Sequence, residues 1–181
     1  VDYSKYTRAI SRGDRDVFRE YMDLTMDSIY KLACRIIASE DDAKDIVQET
    51  YIKVWEKRKT LKSDKSLFSW SRKIAVNKCY DFLRAEKRRG RWNSEGDISE
   101  LAKLTSDNSA EDKVNSEEYT KILKVLTSKL SARQQVVYTL SVIEKLAADE
   151  IAIETGMSKS SIKSNLYHAR EALKKNAGRI L

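Results

Sequence analysis

Proline is missing from all 181 residues of this chain. Average usage of about 5% would supply roughly nine. Glycine, the other main turn residue, occurs only five times. A multi-stranded sheet needs many tight turns, and proline and glycine make most of them. The chain is therefore expected to be all-α. Hydrophobic residues at 41% and charged residues at 35% suit a folded helical protein and are too apolar overall for wholesale disorder. No stretch approaches the roughly 18 apolar residues of a membrane span, and no signal-peptide pattern opens the chain. The expected location is cytoplasmic. Two cysteines, Cys34 and Cys79, do not make a disulfide-stapled scaffold. With His168 the single histidine, no metal site is expected, and no cofactor is implied.

The formal charge of +7 is unevenly distributed. Residues 1–95 carry a net +6, residues 96–118 a net −5 and residues 119–181 a net +6. Two basic blocks thus flank an acidic stretch. The expected organisation is a helical domain over 1–92, a flexible acidic linker over 93–116 and a second small helical domain over 117–181. Basic blocks favour polyanions through counterion release. Lysine and arginine also simply solvate helix faces, so charge alone does not decide between these readings.

In the first block, Phe18, Tyr21, Met22, Thr25, Ile29, Leu32, Ala33 and Ile36 form one apolar stripe at helical spacing. A break and a new cap follow at Ser39–Asp42, with acids in the first turn. Ala43, Ile46, Val47, Tyr51, Val54 and Trp55 make the next stripe, backed by a polar face of Asp45, Gln48, Glu49 and Lys53. Residues 57–65 read as a loop, and Asp64 or Ser66 as the cap of a third helix over Leu67 to Arg89. That third helix interleaves rings with cations: Phe68, Trp70, Tyr80 and Phe82 lie among Arg72, Lys73, Lys78 and Arg84. Unpaired bases need this combination, rings for stacking and cations for phosphates. The same rings could equally serve the core, and the basic end, EKRRGR, also complements the helix dipole.

The second block opens with Ile122, Val125, Leu126 and Leu130 at helical spacing. Ser131 is the expected cap of a helix carrying Val136, Val137, Leu140 and Ile143. A short helix over Ala147 to Thr155 ends at Gly156, a natural left-handed stop. Ser158 then caps a last helix with core positions Ile162, Leu166, Ala169 and Leu173. Helix, glycine turn and capped helix make the helix-turn-helix pattern. Ser160, Ser161, Lys163, Ser164, Tyr167 and His168 lie outward in its N-terminal half, where a recognition helix meets base edges. His168 has no evident partner for catalysis and reads equally as a solvated surface residue.

Three segments, DAKDIVQETYIKVWE (42–56), LFSWSRKIAVNKCYDFLR (67–84) and LSARQQVVYTL followed by ADEIAIETGMSKSSIKSNLYHAREALKK, resemble the extracytoplasmic-function group of bacterial sigma factors. The resemblance runs through nearly the whole chain in the family's order. It implies a subunit that binds core RNA polymerase and directs it to promoter DNA without catalysis of its own. By match of position, Asp45, Gln48 and Glu49 would contact the clamp coiled coil of the polymerase. Leu61, Trp70 and Asn77 would face the melted −10 strand, Asn77 helping to hold a flipped base at a cost of a few kcal/mol. Lys73, Arg84 and Arg88 would hold its phosphates. Lys163, Ser164, Tyr167 and His168 would read the −35 major groove. The resemblance also implies an anti-sigma factor as a further partner.

Two other readings use the same residues. A helix-turn-helix repressor would bind duplex operators as a dimer without polymerase, its N-terminal half serving for oligomerisation or ligand binding. A nucleic-acid enzyme would need paired metal-ligating carboxylates, a phosphate-binding glycine loop or a nucleophile–histidine pair, and the sequence supplies none of these.

Overall fold

Helix α1 (Ser4–Arg12) opens the chain and stops at Gly13, whose φ of 92° is the left-handed conformation that an L side chain resists. Asp14 then caps α2 (Arg15–Ile37), its carboxylate accepting the backbone N–H groups of Asp16 and Val17 at 3.1 Å. Ser39 caps α3 (Glu40–Lys57) by accepting from the Asp42 amide at 3.4 Å, with Glu40, Asp41 and Asp42 at the positive end of its dipole. A single tight turn, Arg58–Thr60, follows, and α4 runs over Leu67–Arg88. The computed structural model describes residues 3–37, 39–61, 67–90, 127 and 129–177. The linker at 93–116, the cap expected at Asp64 or Ser66, and the stripe starting at Ile122 lie outside these residues.

The C-terminal half starts from a full capping box. Ser131 Oγ accepts the Gln134 amide at 3.3 Å while Gln134 Oε1 accepts the Ser131 amide at 2.9 Å, fixing α5 (Ala132–Tyr138). One turn of wider, π-type coil over Thr139–Ile143 then ends at Lys145, whose φ is 57°. Helix α6 (Ala148–Thr155) stops at Gly156 with φ 74°, and Ser158 caps α7 (Lys159–Ala177) by accepting the Ser161 amide at 3.2 Å. The described residues form helices and turns alone, as the missing prolines imply.

Two clusters of buried side chains hold these helices. The first is internal to α1–α4 and contains Tyr6, Ile10, Tyr21, Ile29, Val47, Tyr51, Val54, Leu67 and Ala75. Its rings are tied by hydroxyls. Ser71 gives its proton to the Leu67 carbonyl at 3.0 Å and therefore accepts from the Tyr21 hydroxyl at 2.8 Å. Thr25 likewise donates to the Tyr21 carbonyl and pairs with the Tyr51 hydroxyl at 2.8 Å. Burial pushes the Tyr51 phenol up to about 12 and raises Tyr21 as well, so both stay neutral donors. The second cluster spans both halves. Leu32, Ile36, Ile46, Val76, Cys79 and Leu83 pack with Val136, Val137, Leu140, Ile151 and Ile162. Burying each such aliphatic stabilises by about 1.5–3 kcal/mol before entropy is counted.

Candidate nucleic-acid interface

Helix α7 is positioned from within by Ile162 and Ala169, which are buried at 2% and 0% exposure. These anchors turn Lys163, Ser164, Tyr167 and His168 to the outside, where all four are exposed. Tyr167 is 62% exposed and meets His168 edge-on, with ring centroids 5.4 Å apart. A lysine, a serine, a phenol and an imidazole on one open face near a helix N-terminus can bond base edges in a major groove.

Helix α4 presents a more mixed surface. Arg84 and Arg88 are exposed and Lys73 is half-buried. Asn77 is half-buried, with its amide donating to the Lys73 carbonyl at 2.9 Å. Leu61 and Trp70 lean against the N-terminal cluster as half-buried side chains. The rings interleaved with cations are thus divided: Trp70 and Phe68 pack against the N-terminal cluster, while Tyr80 and Phe82 pack against the cluster shared by the two halves.

On α3, Asp45, Gln48 and Glu49 are exposed. Glu49 is drawn toward α4 by the Lys78 ammonium. Gln48 borders an open groove of about 990 Å³ between α2 and α3, walled by Met22, Met26, Tyr30, Ile52 and Trp55. Ile52 is 59% exposed and Met26 39% exposed, so this groove is an uncovered apolar surface. Sequence reasoning missed it. The signal was Ile52 itself, an aliphatic off the stripe of Ala43, Val47, Tyr51 and Val54.

Sequence reasoning also missed the polar contacts between the halves. Arg72 Nε donates to Glu154 Oε1 at 2.6 Å, and Arg72 Nη2 reaches Glu154 Oε2 and Glu144 Oε2 at 3.4 Å. Their side chains are only 13%, 9% and 11% exposed. Burial alone would lower the guanidinium pKa, but the two carboxylates outweigh it and hold it above its ordinary value. Arg35 pairs with the same Glu144. Gln135 Nε2 donates to the Ile36 carbonyl at 2.9 Å in the interior. The Lys87 ammonium, pulled down to about 8 by burial, donates to the Leu130 carbonyl.

These surfaces sit on a chain with clear relatives. Residues 22–89 match Sigma-70 region 2, and residues 121–173 match Sigma-70 region 4. The ECF RNA polymerase sigma factor SigW of Bacillus subtilis is 26% identical over 94% of this chain and 94% of its own length. SigV, an RNA polymerase sigma factor of the same organism, is 30% identical over 80% of this chain and 81% of its own length. The chain belongs to the ECF group of the sigma-70 family. Its fold is similar to that of the sigma factor RpoE of Bartonella quintana, solved in complex with the anti-sigma factor NepR. The TM-score is 0.58 at 21% identity, over 89% of this chain and 96% of that one.

Within this sigma factor the region 2 match begins at Met22, inside α2, and ends just past α4, whereas α1 lies ahead of it. The region 4 match closes at Leu173, inside α7. No group of His, Cys, Asp and Glu able to hold a metal occurs among the described residues. No described helix is long and apolar enough to cross a membrane.

Proposed function

We propose that this ECF sigma factor binds core RNA polymerase through α3, engages the −10 element with α4 and reads the −35 element with α7. The supporting observation is the set of exposed polar faces in the family's order. Asp45, Gln48 and Glu49 are open to solvent on α3, beside an apolar groove suited to a partner helix. Leu61, Trp70, Lys73, Asn77, Arg84 and Arg88 would meet the melted strand, the cations holding phosphates while Asn77 and Trp70 meet bases. Lys163, Ser164, Tyr167 and His168 would dock in the −35 major groove. The division of labour follows the boundaries 1–92, 93–116 and 117–181. The chain performs no chemistry of its own and acts in the cytoplasm, where polymerase and promoter are. An anti-sigma factor, as in the NepR complex of RpoE, would restrain it.

Gel filtration with bacterial core RNA polymerase tests the reading. The wild type should co-elute with the polymerase, and Asp45→Lys combined with Glu49→Lys should abolish co-elution while circular dichroism stays unchanged. A chain that never co-elutes and runs as a stable dimer would favour the repressor reading instead. On the DNA side, Lys163→Ala should weaken −35 binding by about 1–3 kcal/mol if it bonds a base edge. A footprint that survives this change unaltered would remove Lys163 from the reading face.

A further inference from the structure

A stack of side chains supports the tight turn that leads into Leu61. The Arg58 guanidinium lies over the Trp55 ring, 4.2 Å from its centroid. Trp55 in turn meets Phe18 of α2, with ring centroids 5.0 Å apart. Arg58 Nη1 also donates to the Trp55 carbonyl at 2.8 Å. Gly13, at the end of α1, lies against the same guanidinium: a Cβ there would stand 3.7 Å from Arg58 Nε and 3.8 Å from Nη2. Arg58 Nε is buried and has no hydrogen-bond partner among the described residues. An unpaired buried donor costs free energy, so capping the end of α3 does not by itself account for this placement. The backbone of the turn is tied as closely. The Arg58 carbonyl accepts the Leu61 amide at 3.2 Å, and the Thr60 hydroxyl donates to the Lys57 carbonyl at 2.8 Å. Leu61 leaves the turn in extended backbone, at φ −71° and ψ 118°. With its side chain held on a ring and a carbonyl, Arg58 fixes the direction of its own carbonyl and so the point where Leu61 emerges.

We propose that Arg58 is a positioning residue for the single-strand contact: held on Trp55 and against Gly13, it fixes the turn Arg58–Thr60 and thereby the place of Leu61. Arg58 itself touches no nucleic acid. Its guanidinium is engaged by a ring and a carbonyl, whereas Arg84 and Arg88, assigned above to phosphates, stand exposed on α4. A side chain that meets a ligand binds at full strength only when packing locks its support. Here the support gathers Gly13 after α1, Phe18 on α2 and Trp55 on α3. Gly13 precedes the region 2 match, which begins at Met22, so part of the support comes from ahead of the matched segment. The inference rests on the −10 role proposed for Leu61.

The test uses the full chain assembled with bacterial core RNA polymerase. The probe is a labelled DNA single strand, its central positions randomised and then selected on the wild-type holoenzyme. Leu61→Ala and Arg58→Ala should each weaken binding about tenfold, the worth of one aliphatic contact. The double variant should be no weaker than Leu61→Ala alone, because Arg58 acts through Leu61. Arg58→Ala should leave the salt slope unchanged, since no phosphate contact is lost. Arg58→Lys should stay weak: it keeps the charge but has no planar face to lie on the Trp55 ring. Co-elution with core polymerase should persist in all of these variants. Additive losses in the double variant overturn the proposal, as does normal binding by Arg58→Ala where Leu61→Ala is weak. Recovery in Arg58→Lys, or a salt slope shallower by about 0.7 in Arg58→Ala, overturns it too by making Arg58 a phosphate contact. Should Arg58→Ala misfold by circular dichroism, Arg58→Lys with and without Leu61→Ala carries the same comparison. Failure of the wild type to enrich any strand, or normal binding by Leu61→Ala, would sink the −10 role of Leu61 and this proposal with it.

Discussion

The two buried clusters differ in what they join and in how. The cluster inside α1–α4 mixes tyrosine rings with aliphatics, and its hydroxyls are paired helix to helix: Tyr21 with Ser71 and Thr25 with Tyr51. The cluster between the halves is aliphatic and is rimmed by charge pairs, with Arg72 and Arg35 facing Glu144 and Glu154. A sealed hydroxyl network inside one domain has no alternative partner, so it is permanent. An aliphatic face rimmed by ions can be exchanged, because another apolar surface and another anion can take the same positions. One region thus satisfies its polar groups within α1–α4, whereas the other satisfies them across the two halves.

Breaking the first cluster should produce the largest effect. Tyr21→Ala removes a fully buried ring and leaves Ser71 without its donor, at an expected cost of about 3–5 kcal/mol. Chemical denaturation should show the whole chain losing stability in one step. If only the C-terminal half melted early, the N-terminal cluster would not be the foundation described here.

Breaking the rim of the second cluster should act differently. Arg72→Ala strips a cation from two nearly buried carboxylates, a loss of about 3 kcal/mol or more if the halves stayed together. They should instead part, so calorimetry should resolve two transitions where the wild type shows one. The N-terminal transition should keep its midpoint. A single transition shifted downward as a whole would mean that the halves are one inseparable unit.

The smallest effect sharpens the comparison locally. Ser131→Ala removes one arm of the capping box at α5 and should cost about 1 kcal/mol. Amide exchange should quicken at the start of α5 and leave α2 and α3 unchanged. Equal quickening throughout would show that the cap supports more than its own helix.

How much of this was legible in the sequence varies by the range of the interaction. The stops and starts at Ser39, Ser131, Gly156 and Ser158 are set by atoms within a few residues, and the sequence carries them directly. The stripes of α2, α3 and α4 were legible because a helix repeats its inward face every three to four residues. Helix α1 was missed: its anchors Tyr6 and Ile10 are only two buried apolar residues in a polar segment, although Gly13 marked its end. The wide coil at Thr139–Ile143 has no local signature, and the helix expected through Ile143 changes form after Tyr138. Least legible were the pairs made by Arg72, whose partners lie 72 and 82 residues away. Nothing in a charge pattern says which distant acid an arginine will meet. For the same reason Cys79 and Leu83, readable as inward-facing, gave no hint that part of their packing comes from the other half.

The central claim is that this chain gives core polymerase its choice of start site. Core enzyme should be supplied with fragmented genomic DNA from the source organism, with and without the chain, and the 5′ ends of the transcripts mapped. The account predicts discrete starts that appear only with the chain, share two upstream sequence elements and disappear with the Asp45 and Glu49 charge reversal. Identical transcript ends with and without the chain, together with protection of duplex sites by the chain alone as a dimer, would contradict it.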